Sequence, residues 1–150
     1  MTTVLFNLTF YLAVPFWLLM IVAPRWPVTE RIVASPWIAT PPLVVYLIIV
    51  LPHFDRLWAA VSRPDLGVLQ AFLGSGIGAA AIWAHLIAFD LFIGRWMYWE
   101  ARKLGIHPLV MAPILVLTIL LSPIGLLVFL VVREVAVRQV AGRVDERVGG

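Results

Sequence analysis

The stretch HLIAFDLFIGRW, residues 85–96, decides the fold. It closes an apolar run from Phe72 to Trp96 and places a histidine, an aspartate and an arginine at five-residue intervals within it. A helix rises about 1.5 Å per residue, so roughly 20 apolar residues cross the hydrocarbon of a bilayer. The run is long enough to do so. His85, Asp90 and Arg95 resemble a catalytic triad, yet five residues at about 100° each advance a helix by roughly 140° net. The three side chains therefore point to three sides of one helix. His85 shares a face with Phe89, Phe92, Trp96 and Lys103, and Asp90 shares another with Trp83, Gly94 and Met97. The helix reads as the centre of a bundle, showing a different polar group to each neighbour, and any active site needs another helix to complete it.

Composition supports the membrane. The 150 residues are 63% hydrophobic and only 13% charged, with a mean hydropathy of +1.02, whereas a soluble domain carries about 25% charged residues. The net charge of +3 does not point to nucleic acid, because the basic residues are spread over every loop and the tail as helix-end anchors. Seven Trp and three Tyr suit the headgroup boundary. The absence of cysteine excludes disulfides, thiolate metal sites and cysteine nucleophiles.

Four apolar segments emerge, at about 4–23, 37–54, 72–96 and 108–132, the second short and interrupted by Pro41, Pro42 and Pro52. They predict an all-α integral membrane protein, a single domain built as a four-transmembrane-helix bundle in a bacterial cytoplasmic membrane. The first segment has no preceding Lys or Arg and no small-residue cleavage site, so it reads as a retained span rather than a signal peptide. Between the second and third spans, Leu57, Trp58 and Val61 fall on one face of DRLWAAVSRPDLG, which predicts a short interfacial helix ended at Ser62–Arg63 by Pro64. The tail 133–150 reads as a charged helical extension with Glu134 four residues before Arg138, fraying at Gly149–Gly150. Gly74 and Gly78, with Ala79–Ala81 beyond, read as a close-packing helix face, compatible with a homo-oligomer. Four spans would put six basic residues on the side of the termini and five on the other, a near tie that only the basic tail tilts toward cytoplasmic termini.

Ionisable groups inside a span are costly and functional by default. His85 lies near the middle of the third span, either as a neutral imidazole bonded to a neighbouring helix or as a base. Asp90 must pair with a cation or stay protonated, because burial disfavours its charged form. Asn7, in the first span, carries donor and acceptor and suits bridging between helices. Arg95 and Glu100 lie at the third span's end, where anchoring explains them. His53, His85 and His107 lie in three segments without metal-ligand spacing, and no GxSxG, Walker or HExxH motif is present. The glycines of GSGIGAAA follow no strand and are no dinucleotide fingerprint. Neither a metal nor a cofactor is expected.

Four stretches together resemble the abscisic-acid-deficient-4-like family: Phe6–Asn7, PFWLLMIVAPRWPVT from Pro15 to Thr29, HLIAFDLFIGRW, and SPIGLL from Ser122 to Leu127. The resemblance covers residues 6 to about 133 and implies a small four-helix membrane protein linked to carotenoids. The family's plant members are associated with conversion of violaxanthin to neoxanthin, in which an epoxide opens and an allene is left. This chain shows no plastid transit segment and so looks bacterial, which makes another carotenoid or isoprenoid the expected substrate. An apolar polyene would enter from the lipid against aromatic surface at Phe6, Trp17, Trp83, Phe89 and Phe92, a stripe that is more often plain helix packing. Such an isomerisation needs only an acid and a base, here a protonated Asp90 and a neutral His85. Asn7, Pro15, Trp17, Trp83, Phe89, Gly94, Arg95 and Trp96 are the expected substrate contacts, with the "PFW" turn of the first span and Asn7 completing the site. The alternative is a non-catalytic protein that binds a polyene or steadies a carotenoid-biosynthesis complex. A transporter is least favoured, since the polar residues are few and sit in one helix.

Overall fold

The computed structural model describes residues 1–63 and 65–148, with side chains up to residue 142. Among these residues the chain is helical throughout: α1 (Thr2–Val22), α2 (Pro27–Ala34), α3 (Thr40–Val50), α4 (Phe54–Ser62), α5 (Leu66–Leu73), α6 (Gly76–Lys103), α7 (Pro108–Leu120) and α8 (Ser122–Val148). The chain divides into two compact units, Met1–Pro15 with Trp37–Phe89 and Phe16–Pro36 with Asp90–Gly150. Both α1 and α6 run from one unit into the other.

Among the described residues three helical stretches are long and apolar enough to cross a membrane: Thr2–Val22, Pro36–Ser62 and Gly76–Lys103. The first matches the expected span almost residue for residue. The second runs further than expected, because its prolines sit where helices tolerate them. Pro41 and Pro42 lie in the first turn of α3, and Pro52 opens a 3-10 turn, Leu51–His53, that leads directly into α4. A proline in a first turn gives up an N–H that has no helical partner anyway. The expected interfacial helix thus exists as α4 and ends at Ser62 as expected, but no loop separates it from the second span. Pro64, read as its stop, lies outside the described residues.

In the first unit the core joins Val45, Ile49 and Val50 of α3 to Ala80, Ala81 and Ala84 of α6. Burial against lipid offers little hydrophobic gain, so close approach of small side chains is what draws such helices together. The alanine part of the expected small-residue face is therefore present. The glycine part is not. Gly74 is the C-cap of α5, and a side chain on Gly78 would overlap the Phe72 carbonyl, so both glycines serve the tight α5–α6 turn. The third span accordingly starts at Gly76 rather than Phe72. The preceding helix α5 was not anticipated; Asp65 caps it by accepting from the Val68 N–H at 3.0 Å.

In the second unit the expected fourth span, 108–132, is not one helix. It divides at Leu121, whose backbone leaves the helical region (φ −144°, ψ 68°). Pro123 supplies the reason, since it lacks an N–H for the carbonyl four residues back and its ring clashes there. α8 then turns back along α7: Val110 of α7 lines one cleft with Val132, Val135 and Gln139 of α8. Gly125 makes the close approach, because a Cβ there would fall 2.6 Å from the Thr118 backbone nitrogen. At 13 residues, α7 is about 20 Å long, short of the roughly 30 Å of hydrocarbon. Arg133 of α8 pairs with Glu100 of α6 at 2.8 Å, and Phe129 is fully buried. The tail is helical as expected through Val148, with Glu134 and Arg138 paired at 3.0 Å. The expected fraying at Gly149–Gly150 lies outside the described residues.

Candidate functional site

His85 lines a cavity of about 190 Å³ in the first unit, walled by Tyr46 of α3, Leu57 and Val61 of α4, Leu69, Phe72 and Leu73 of α5, and Ala81 and Ile82 of α6. The imidazole stacks on Phe89 one turn further along α6 (ring centroids 4.5 Å, interplanar angle 21°) and meets the Tyr46 ring at 6.0 Å. Among the described residues neither ring nitrogen has a hydrogen-bond partner, so the bland expectation of a histidine bonded to a neighbouring helix is not what the geometry shows. Apart from the Tyr46 hydroxyl, His85 carries the cavity's only polar side chain. Phe89, half exposed on its outer side, fixes the plane of the imidazole.

Asp90 does not line this cavity. α6 is unbroken from Gly76 to Lys103, so the two groups stand roughly 140° apart about its axis. Asp90 is half-buried and begins the second unit's share of the helix. Asn7 is exposed and lines a separate cleft with Phe6, Phe10, Tyr11 and Trp83. There Phe6 stacks on Trp83 at 5.0 Å, and the buried indole N–H of Trp83 has no partner among the described residues. Pro15 is exposed within α1.

The remaining expected contacts belong to the second unit. Trp17 is buried with its ring laid across Gly94, where any side chain would overlap it. Gly94 thus admits a close neighbour, as expected, and that neighbour is Trp17. Arg95 donates from Nε to the Val33 carbonyl (2.8 Å) and from Nη2 to the Ala34 carbonyl (2.6 Å). It satisfies the carbonyls at the C-terminus of α2, a favourable place for a cation. Trp96 packs edge-to-face on Phe129 at 5.4 Å.

Sequence reading missed the residues beside Arg95. Trp99 donates to the Val33 carbonyl at 3.0 Å. The Tyr98 hydroxyl and Arg102 Nη1 donate to the Pro24 carbonyl at 2.7 and 2.8 Å. Arg102 Nη2 also pairs with Glu30 at 2.5 Å. Together they pin the segment after α1 to the end of α6. Beside them lies a cavity of about 380 Å³ lined by Met20, Pro24, Arg25, Tyr98, Arg102, Met111 and Leu115, among others. Among the described residues no three His, Cys, Asp or Glu side chains gather at one point.

Three helices able to cross a bilayer, with a histidine facing an apolar cavity, define a small multi-pass membrane protein. The chain belongs to the ABA DEFICIENT 4-like family, whose profile matches residues 4–129. It is similar to Protein ABA DEFICIENT 4, chloroplastic, of Arabidopsis thaliana, with 32% identity over 90 residues. That match takes in 56% of this chain and 41% of the plant protein, so the chain spans less than half the length of its relative. No solved structure matches.

Proposed function

We propose that this protein binds a carotenoid or related isoprenoid from the lipid phase and isomerises it, with His85 as the proton-transfer group. The observation that carries the reading is an imidazole with no hydrogen-bond partner among the described residues, facing an otherwise nearly apolar cavity. Kinship with a family whose plant members are tied to neoxanthin synthesis supports the substrate class. Pockets for drug-sized ligands run roughly 300–1,000 Å³, so about 190 Å³ suits one ring end of a polyene, with its chain left in the bilayer. A neutral imidazole takes a proton from one atom of the bound ring end and returns it at another. Composition is unchanged, so no redox cofactor is called for. Asp90, the acid expected from the sequence, does not line this cavity and has no part in this step. The substrate contacts in this reading are Tyr46, Phe72 and Phe89-braced His85.

The second reading is a polyene-binding protein without catalysis, favoured by the small cavity, whose polar side chains are His85 and the Tyr46 hydroxyl alone. One experiment separates the two. Pigments of a carotenogenic bacterial host are compared by chromatography with the intact gene, with His85→Ala, and without the gene. Catalysis predicts a new pigment of unchanged mass, reduced by about 10²–10⁴-fold in His85→Ala. Unchanged pigments that co-purify with the protein point to binding, and no change with no co-purification removes both readings.

A further inference from the structure

We propose that the cavity of about 380 Å³ in the second unit is a binding site for an anionic phosphate carried on an apolar chain. Its lining is divided by chemistry. Met20, Met111 and Leu115 are buried and form an apolar floor, while Arg25, Arg102 and the Tyr98 hydroxyl supply the polar side chains. Arg102 is fixed in place by the Pro24 carbonyl and Glu30 and lies 5.6 Å from the centre of the Tyr98 ring, so it is oriented before any ligand arrives. Its charge is largely offset by Glu30. Arg25 is different: it is exposed, and among the described residues no carboxylate pairs with it.

The placement of the cavity argues the same way. It is built from the end of α1, the end of α6 and the start of α7. The ends of long apolar helices lie at the headgroup level of a bilayer. A phosphate fits the unpaired guanidinium because planar N–H donors match its oxygens two at a time. A neutral headgroup would leave Arg25 without an anion, and a free anion would leave the methionine and leucine floor uncovered. Both halves are used only by an amphipathic phosphate. Two sources carry that chemistry, a bilayer phospholipid and an isoprenyl monophosphate.

The test uses the whole protein in lipid nanodiscs or detergent and native mass spectrometry. Phosphatidylglycerol, diacylglycerol, farnesyl phosphate and inorganic phosphate are each titrated against the wild type, Arg25→Gln and Met111→Trp. The wild type should hold phosphatidylglycerol or farnesyl phosphate about five- to tenfold more tightly than the phosphate-free diacylglycerol, the effect of roughly one cation near an anionic headgroup. Arg25→Gln should abolish that preference. Met111→Trp, which fills the floor and keeps the charge, should weaken every chain-bearing ligand alike. The tighter of phosphatidylglycerol and farnesyl phosphate identifies the source. The proposal is overturned if the wild type does not discriminate against diacylglycerol. It is equally overturned if Arg25→Gln discriminates as well as the wild type, or if inorganic phosphate binds as tightly as the lipids.

Discussion

At the scale of single residues, the closest packing is between Trp17 and Gly94. The indole lies where a Cβ at position 94 would be, and Trp17 is 4% exposed, so the ring has nowhere to retreat. Overfilling such a contact costs about 1–3 kcal/mol. Gly94→Ala should therefore lower the melting temperature in detergent, and pairing it with Trp17→Leu should recover part of the loss. Equal melting of Gly94→Ala and the wild type would show that the ring is not seated as described. His85 is a contrasting case, because its imidazole is held by a ring stack on Phe89. No hydrogen bond among the described residues anchors it.

At the scale of elements, the division of the 108–132 segment is the main departure from expectation. Spin labels at Val110 and Gln139 decide it, since both positions line the same cleft between α7 and α8. A single straight helix would separate those positions by about 44 Å. The folded-back pair should give a distance under half of that in pulsed dipolar spectroscopy. The break was legible in part: Ser122-Pro123 is a helix-start pattern, but it lay inside a run hydrophobic enough to hide it. Helix α5 was hidden in the same way, although Asp65 followed by an apolar run and closed by Gly74 reads as a capped helix. The first span was plain because little besides Asn7, Thr9 and Pro15 interrupts its apolar character. The site was less legible. His85 stood out by depth alone, whereas Arg95, Tyr98, Trp99 and Arg102 meet carbonyls more than 60 residues away. No local spacing encodes such partners.

At the scale of the whole molecule, the same break changes the charge balance across the membrane. Three crossings, with α7 and α8 kept on the side where α6 ends, would give that side Arg25, Arg31, Arg95, Arg102, Lys103 and the four arginines of α8. Only Arg56 and Arg63 remain for the other. Four crossings give a near tie, whereas three would give nine against two, a bias that under the positive-inside rule predicts a cytoplasmic C-terminus. Reporter fusions after Gly105 and at the C-terminus should both report the cytoplasm, and a fusion at the N-terminus the opposite face. A C-terminal reporter on the same face as the N-terminal one would restore the fourth crossing.

The turn at Leu121 also bears on how the chain is made. A fourth crossing would oblige the insertion machinery to carry Arg133, Arg138, Arg143 and Arg147 through the bilayer. On the insertion scale each arginine at mid-membrane costs roughly 2.5–3.5 kcal/mol. A hairpin that dips in and returns leaves all four on the ribosome's side throughout. An α7–α8 pair kept on the side where α6 ends would require none of these four arginines to be translocated.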